Sequence, residues 1–167
     1  MKFLRLFTIV STLLAVATLA LLGSGMNAQE EIKRTSDIAV VVHPQNTLTD
    51  IKLSMLRRVL LGEQSQWGNH FSIVLVLRFA GTREQDAVLH KVVQMTDSQF
   101  KSHWVAKVFR GEATSEPLTV PSSGLASEYV ASHPGAIAFL QGTDIRKDIK
   151  VLKVDGINPG ADNYPLR

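Results

Sequence analysis

The chain has 167 residues, with 18 Lys or Arg against 15 Asp or Glu, and no cysteine. The lack of cysteine excludes a disulfide scaffold, a thiolate metal site, a cysteine nucleophile and a lipidated N-terminal cysteine. No basic run is longer than Arg57-Arg58, so a phosphate-neutralising surface for nucleic acid is not expected.

The N-terminus reads as an export signal. Lys2 and Arg5 form a short basic region, Phe7 to Leu22 is apolar apart from Thr8, Ser11, Thr12 and Thr18, and Met26-Asn27-Ala28 ends on a small residue. The apolar run is shorter than the roughly 20 residues a permanent transmembrane helix needs. Residues 1–28 are therefore expected to be a signal peptide cleaved near Ala28, leaving a periplasmic or secreted protein. The chain would be membrane-anchored only if the leader were retained. Residues 29–36 are polar and read as a flexible lead-in, and 37–167 as one domain. Setting aside Lys2 and Arg5, the remainder holds 16 basic against 15 acidic residues. That length is ample for a single core.

Ile38 to Val42 is a continuous apolar run of strand length, and a strand apolar on both faces is usually buried and parallel. His43-Pro44-Gln45-Asn46 stops it. Thr49 or Asp50 can cap a helix carrying Leu53, Leu56, Val59 and Leu60, which Gly62 ends. The polar loop Glu63 to Asn69 favours Trp67 as an exposed aromatic, with packing against the domain as the alternative, and Phe71 to Leu77 reads as a second buried strand. Arg78 to Thr82 is a turn, with Thr82 as the cap of a helix holding Ala87, Val88, Val92 and Val93.

Thr96-Asp97-Ser98 starts the next helix, which has Phe100, Trp104, Val108 and Phe109 on one apolar stripe. Gly111 to Pro121 reads as loop. Ser122 or Ser123 opens a helix to His133, closed by Pro134-Gly135, and Ala136–Leu140 and Ile149–Val154 read as strands before an extended tail. This order predicts an α/β fold, a mainly parallel sheet flanked by helices.

Three segments carry a resemblance. Ile38 to Asn46 leads into Leu53-Ser54-Met55-Leu56-Arg57-Arg58-Val59-Leu60-Leu61-Gly62 and Trp67. His133-Pro134-Gly135-Ala136-Ile137-Ala138-Phe139 follows, and then Val154-Asp155-Gly156 through Asn158-Pro159 to Tyr164-Pro165-Leu166-Arg167. In this order they are similar to the phosphate ABC transporter substrate-binding proteins, of type II periplasmic binding fold. The chain looks like a short single-lobe member, equivalent to the second lobe.

The resemblance implies a small-oxyanion ligand such as phosphate, no catalysis and no cofactor. It also implies a transporter or other envelope protein as partner, with a homodimer as another way to supply the missing lobe. The family's anion loop is matched by Arg78-Phe79-Ala80-Gly81-Thr82-Arg83, two residues shorter and without the family's serine-aspartate pair. Arg78, Gly81, Thr82 and Arg83 are thus the primary anion-binding candidates, because the first turn of a helix offers free N–H groups to an anion. Ser122 and Ser123 offer a second nest of amides at a helix start. Asn46 closes the first strand, at an edge where open α/β sheets bind ligands.

A non-catalytic envelope interaction or sensing module that has lost tight ligand binding is the alternative. The five histidines (His43, His70, His90, His103, His133) have no i, i+4 pair with a carboxylate between, so no metal site is expected. No nucleophile elbow supports an enzyme.

Overall fold

The computed structural model describes residues 36–68 and 70–167; the expected signal peptide and nearly all of the lead-in lie outside them. Six strands form one sheet in the order β2-β6-β1-β5-β3-β4. They are β1 (Ile38–Val42), β2 (Asp50–Ile51), β3 (Val74–Arg78), β4 (Leu118–Val120), β5 (Ala136–Gln141) and β6 (Lys150–Val154). The helices are α1 (Leu53–Leu60), α2 (Arg83–Val88), α3 (Asp97–Phe109) and α4 (Ser123–Ser132), and α2 runs on into a π turn at Leu89–Val93.

The sheet is mixed. β3 runs parallel to β4 and β5, and β2 parallel to β6. β1, expected to be parallel, is antiparallel to both β5 and β6. The apolar run at β1 correctly signals burial on two faces, since all five residues are buried. Burial carries no information on strand direction, however, and direction is set by the connections.

Side-chain alternation divides the core into two layers. Ile38, Val40 and Val42 face a cluster with Leu56 and Leu60 of α1, Val88 of α2, and Phe100 and Trp104 of α3. Ala39 and Val41 face the other side, with Ala126 and Val130 of α4. Helices therefore cover both faces, as an α/β layer structure requires. Truncating a fully buried residue such as Leu56 to alanine costs about 2–5 kcal/mol.

Several local expectations change. α1 is preceded by Lys52 without a side-chain cap, because Asp50 is taken into β2, where its Oδ1 accepts from the Gly156 N–H at 2.8 Å. β3 begins at Val74 rather than Phe71; Phe71 is partly exposed, and only an isolated bridge joins Ser72 to Gln66. The stretch expected to be loop contains β4, a three-residue edge strand between Pro117 and Pro121. Those prolines lack the N–H groups that would extend an edge. On α3, Phe100 and Trp104 are core, whereas Phe109 is 91% exposed. The stripe overran the last buried turn.

For Trp67 the structure takes the packed alternative. Only 3% of it is exposed, and its indole N–H donates to the Gly135 carbonyl at 2.9 Å. The Val74 N–H donates to the same oxygen at 3.0 Å. The polar residues around Trp67 concealed an aromatic anchor that folds its loop onto the Pro134-Gly135 turn. The tail is also docked: Tyr164 and Leu166 are buried, the Tyr164 hydroxyl donates to the Ile38 carbonyl at 3.1 Å, and the Ile38 N–H donates to the Leu166 carbonyl at 3.0 Å.

Candidate functional site

The sheet register decides which candidates meet. Val42 at the end of β1 pairs with Ile137, and Ile137 pairs with Leu75 near the start of β3. Because β1 is antiparallel, its C-terminal end lies at the edge where β3 and β5 begin. Asn46 therefore sits at the opposite edge from Arg78, the last residue of β3. Asn46 is buried; its Oδ1 accepts from the Leu48 N–H at 3.0 Å and its carbonyl from Lys150 Nζ at 2.9 Å, while its Nδ2 has no partner. Asn46 is thus a turn-closing residue, separated from the other candidates.

Arg78 and Ser123 do meet. In the parallel register Arg78 pairs with Val120 of β4, three residues before Ser123. Arg78 Nη1 donates to Ser123 Oγ, while Nε is buried without a partner. Glu84, in the first turn of α2, completes the corner. Its Oε1 lies 3.7 Å from Arg78 Nη1 and accepts from Ser123 Oγ at 3.4 Å. The Glu84 side chain is 5% exposed and that of Arg78 14% exposed. Glu84 was missed in the sequence because Arg83-Glu84 reads as solvated helix surface; its position in the first turn after the candidate loop was the available signal.

The two helix starts differ. Ser122 caps α4 in the ordinary way, its Oγ accepting from the Leu125 N–H at 3.2 Å. Thr82 occupies the cap position of α2 but makes no side-chain cap bond; its hydroxyl instead donates to the Phe79 carbonyl at 2.9 Å. Gly81 takes the left-handed backbone, φ +79°, that reverses the chain there. Arg83 is exposed beside it. The edge thus presents an anchored guanidinium, a hydroxyl and a helix start without a side-chain cap. Phe79 and Leu125, both about half exposed, are the apolar residues nearest in sequence to it.

A separate cleft of about 680 Å³ lies toward the start of β3, lined by Gln64, Ser65, Ser72, Trp104 and the 112–119 segment among others, and it includes no Lys, Arg or His. Its charged lining residues are the acidic Glu112 and Glu116, and Arg78 is not among the residues that line it. Of the histidines, His103 Nε2 contacts the Leu61 carbonyl at 3.0 Å and His133 stacks on Tyr129. No described helix is long and apolar enough to cross a membrane.

The chain as a whole has similar proteins among those already known. Over about three quarters of its length it resembles phosphate ABC transporter substrate-binding proteins. It is 25% identical over 135 residues to the phosphate-binding protein PstS of Bacillus subtilis (strain 168), which covers 77% of this chain and 41% of that protein. Among solved structures it is similar to a putative phosphate ABC transporter substrate-binding protein with bound phosphate from Clostridium perfringens. There the TM-score is 0.59 and the identity 21%, over 74% of this chain and 46% of the other. An ABC-type phosphate transport receptor from Vibrio cholerae matches with TM-score 0.61 and 17% identity, over 78% and 52%. No family profile matches. The chain thus spans about half the length of the relatives it matches, and the fold is that of such binding proteins.

Proposed function

We propose that this chain is an exported small-oxyanion binding lobe of the phosphate type, working in the periplasm beside an ABC transporter, with Arg78 as its principal anion ligand. The observation that supports this reading is the position of Arg78. It ends β3 at the start of α4, fixed by Ser123 and flanked by the α2 start that no side chain caps. The resemblance to PstS of Bacillus subtilis supports the same chemistry.

A site on one open lobe remains close to water. Each ion contact is then worth about 1 kcal/mol, so the guanidinium, the hydroxyl and the uncapped helix start together give a dissociation constant on the order of millimolar or weaker. Titrating the purified protein with phosphate, followed by amide chemical shifts, tests this. Shifts are expected at residues 78–85 and 122–125, with millimolar saturation, and are expected to vanish in Arg78→Ala. Binding that survives intact in Arg78→Ala moves the site elsewhere.

One observation favours a second reading, an interaction module that docks on an envelope protein. Phe79, directly after Arg78, is 49% exposed, and Leu125, two residues after Ser123, is 47% exposed. A phosphate titration without any shift, together with loss of partner capture in Phe79→Ser, would favour it.

A further inference from the structure

The carboxylate of Glu84 occupies the point where the charge and hydroxyl of the candidate site converge. Its Oε1 is 3.7 Å from Arg78 Nη1 and within hydrogen-bonding distance of Ser123 Oγ, and only 4% of the residue is exposed. An oxyanion held by Arg78 and Ser123 would place an oxygen in the same position. We infer that Glu84 is a built-in occupant of this site, a tethered counter-ion that neutralises Arg78 in the free protein and sets the affinity for any incoming anion. This rests on the reading of Arg78 as an anion ligand.

The physical basis is the repulsion between like charges a few ångströms apart in a partly desolvated corner, where water screens poorly. An arriving oxyanion must either displace the Glu84 oxygen or bind beside it, so the cost of moving this carboxylate is subtracted from every binding event. The device also explains why Arg78 can be so buried in the free lobe. A guanidinium that is 14% exposed keeps a partner with or without ligand, which avoids the penalty of a lone buried charge. Glu84 therefore acts as a specificity-determining residue, weakening anions in proportion to their charge.

The decisive experiment compares the wild-type protein with Glu84→Gln, which keeps the side-chain shape and removes the charge. Phosphate and sulfate affinities are measured by calorimetry, and thermal melts with and without each anion report folding. At least tenfold tighter phosphate binding in Glu84→Gln is expected, with a larger anion-induced rise in melting temperature. Wild-type binding with equal or weaker binding in the variant overturns the inference and leaves the anion site standing. Absence of binding in both, with both folded, overturns the inference together with the reading of Arg78. If Glu84→Gln does not fold, Glu84→Asp decides. Its shorter side chain draws the carboxylate back from Arg78, so severalfold tighter binding is expected, and unchanged affinity overturns the inference.

Discussion

The turn at Pro134-Gly135 allows a sharp test of how the fold is held. A Cβ built on Gly135 would lie 1.9 Å from the Ser72 carbonyl oxygen and 3.1 Å from its carbon. Both obstacles are backbone, so Gly135→Ala must push β5 and the 71–73 segment apart by at least about 1.5 Å to reach ordinary contact. The movement would break two bonds to the Gly135 carbonyl, those from the Val74 N–H and the Trp67 indole. A stranded buried donor costs about 1–3 kcal/mol, and the backbone displacement adds strain. The expected loss is about 3–5 kcal/mol, at the upper end of single substitutions.

For a domain of this size that corresponds to a fall in melting temperature of about 10–15 °C. Urea denaturation at constant m-value is the assay. Trp67→Phe serves as the partial control, since it removes one donor and keeps the backbone, and should cost about 1–2 kcal/mol. A Gly135→Ala protein within about 1 kcal/mol of wild type would refute the idea that contact with Ser72 makes glycine necessary here.

Two further predictions concern ionisation. Burial raises the Tyr164 phenol above its ordinary 10.0, so the folded state resists its deprotonation. The stabilising contribution is fully present below that ordinary value and is lost as pH rises through the raised one. Wild type should therefore lose stability above pH 10 more steeply than Tyr164→Phe, which should itself be about 1 kcal/mol less stable at neutral pH for want of the bond to Ile38; parallel alkaline slopes for the two would contradict this. Glu112 is held down to about 2 by hydrogen bonds from Arg110 and Lys107, against an ordinary 4.5. Its contribution is present above the ordinary value and lost as pH falls through about 2. A carboxyl carbon titration should place its midpoint near that value, and a midpoint near 4.5 would show that the cluster does not form in solution.

Much of the fold could be read from local pattern. The apolar runs at Ile38–Val42 and Ala136–Leu140 announced strands, and Thr96 and Ser122 marked helix starts that the structure keeps. What escaped depends on partners distant in sequence. The direction of β1 follows from β5 and β6, about a hundred residues later, and no property of Ile38–Val42 itself encodes it. Trp67 looked exposed because its neighbours are polar, whereas its burial is decided by Gly135. β4 is too short for any periodicity to show and is defined by pairing with β3.

The candidate site divides in the same way. Arg78 and Ser123 were visible separately as turn and cap residues, but their meeting is a consequence of strand order. The separation of Asn46 from them follows from the reversed β1, so the direction of that strand also decides where that residue sits. Glu84 became visible only when α2 was placed against α4.

The docked tail has a consequence for how this unit can be wired. Because the Ile38 N–H bonds the Leu166 carbonyl and the Tyr164 hydroxyl bonds the Ile38 carbonyl, the first strand and the last residues of the domain emerge at one corner. Two chain segments leaving side by side form a double strap, through which such a body can be spliced into a host polypeptide without stretching either connection. The same closeness means that a short linker from residue 167 to residue 36 could join the two, with new ends opened at an exposed loop such as 112–116.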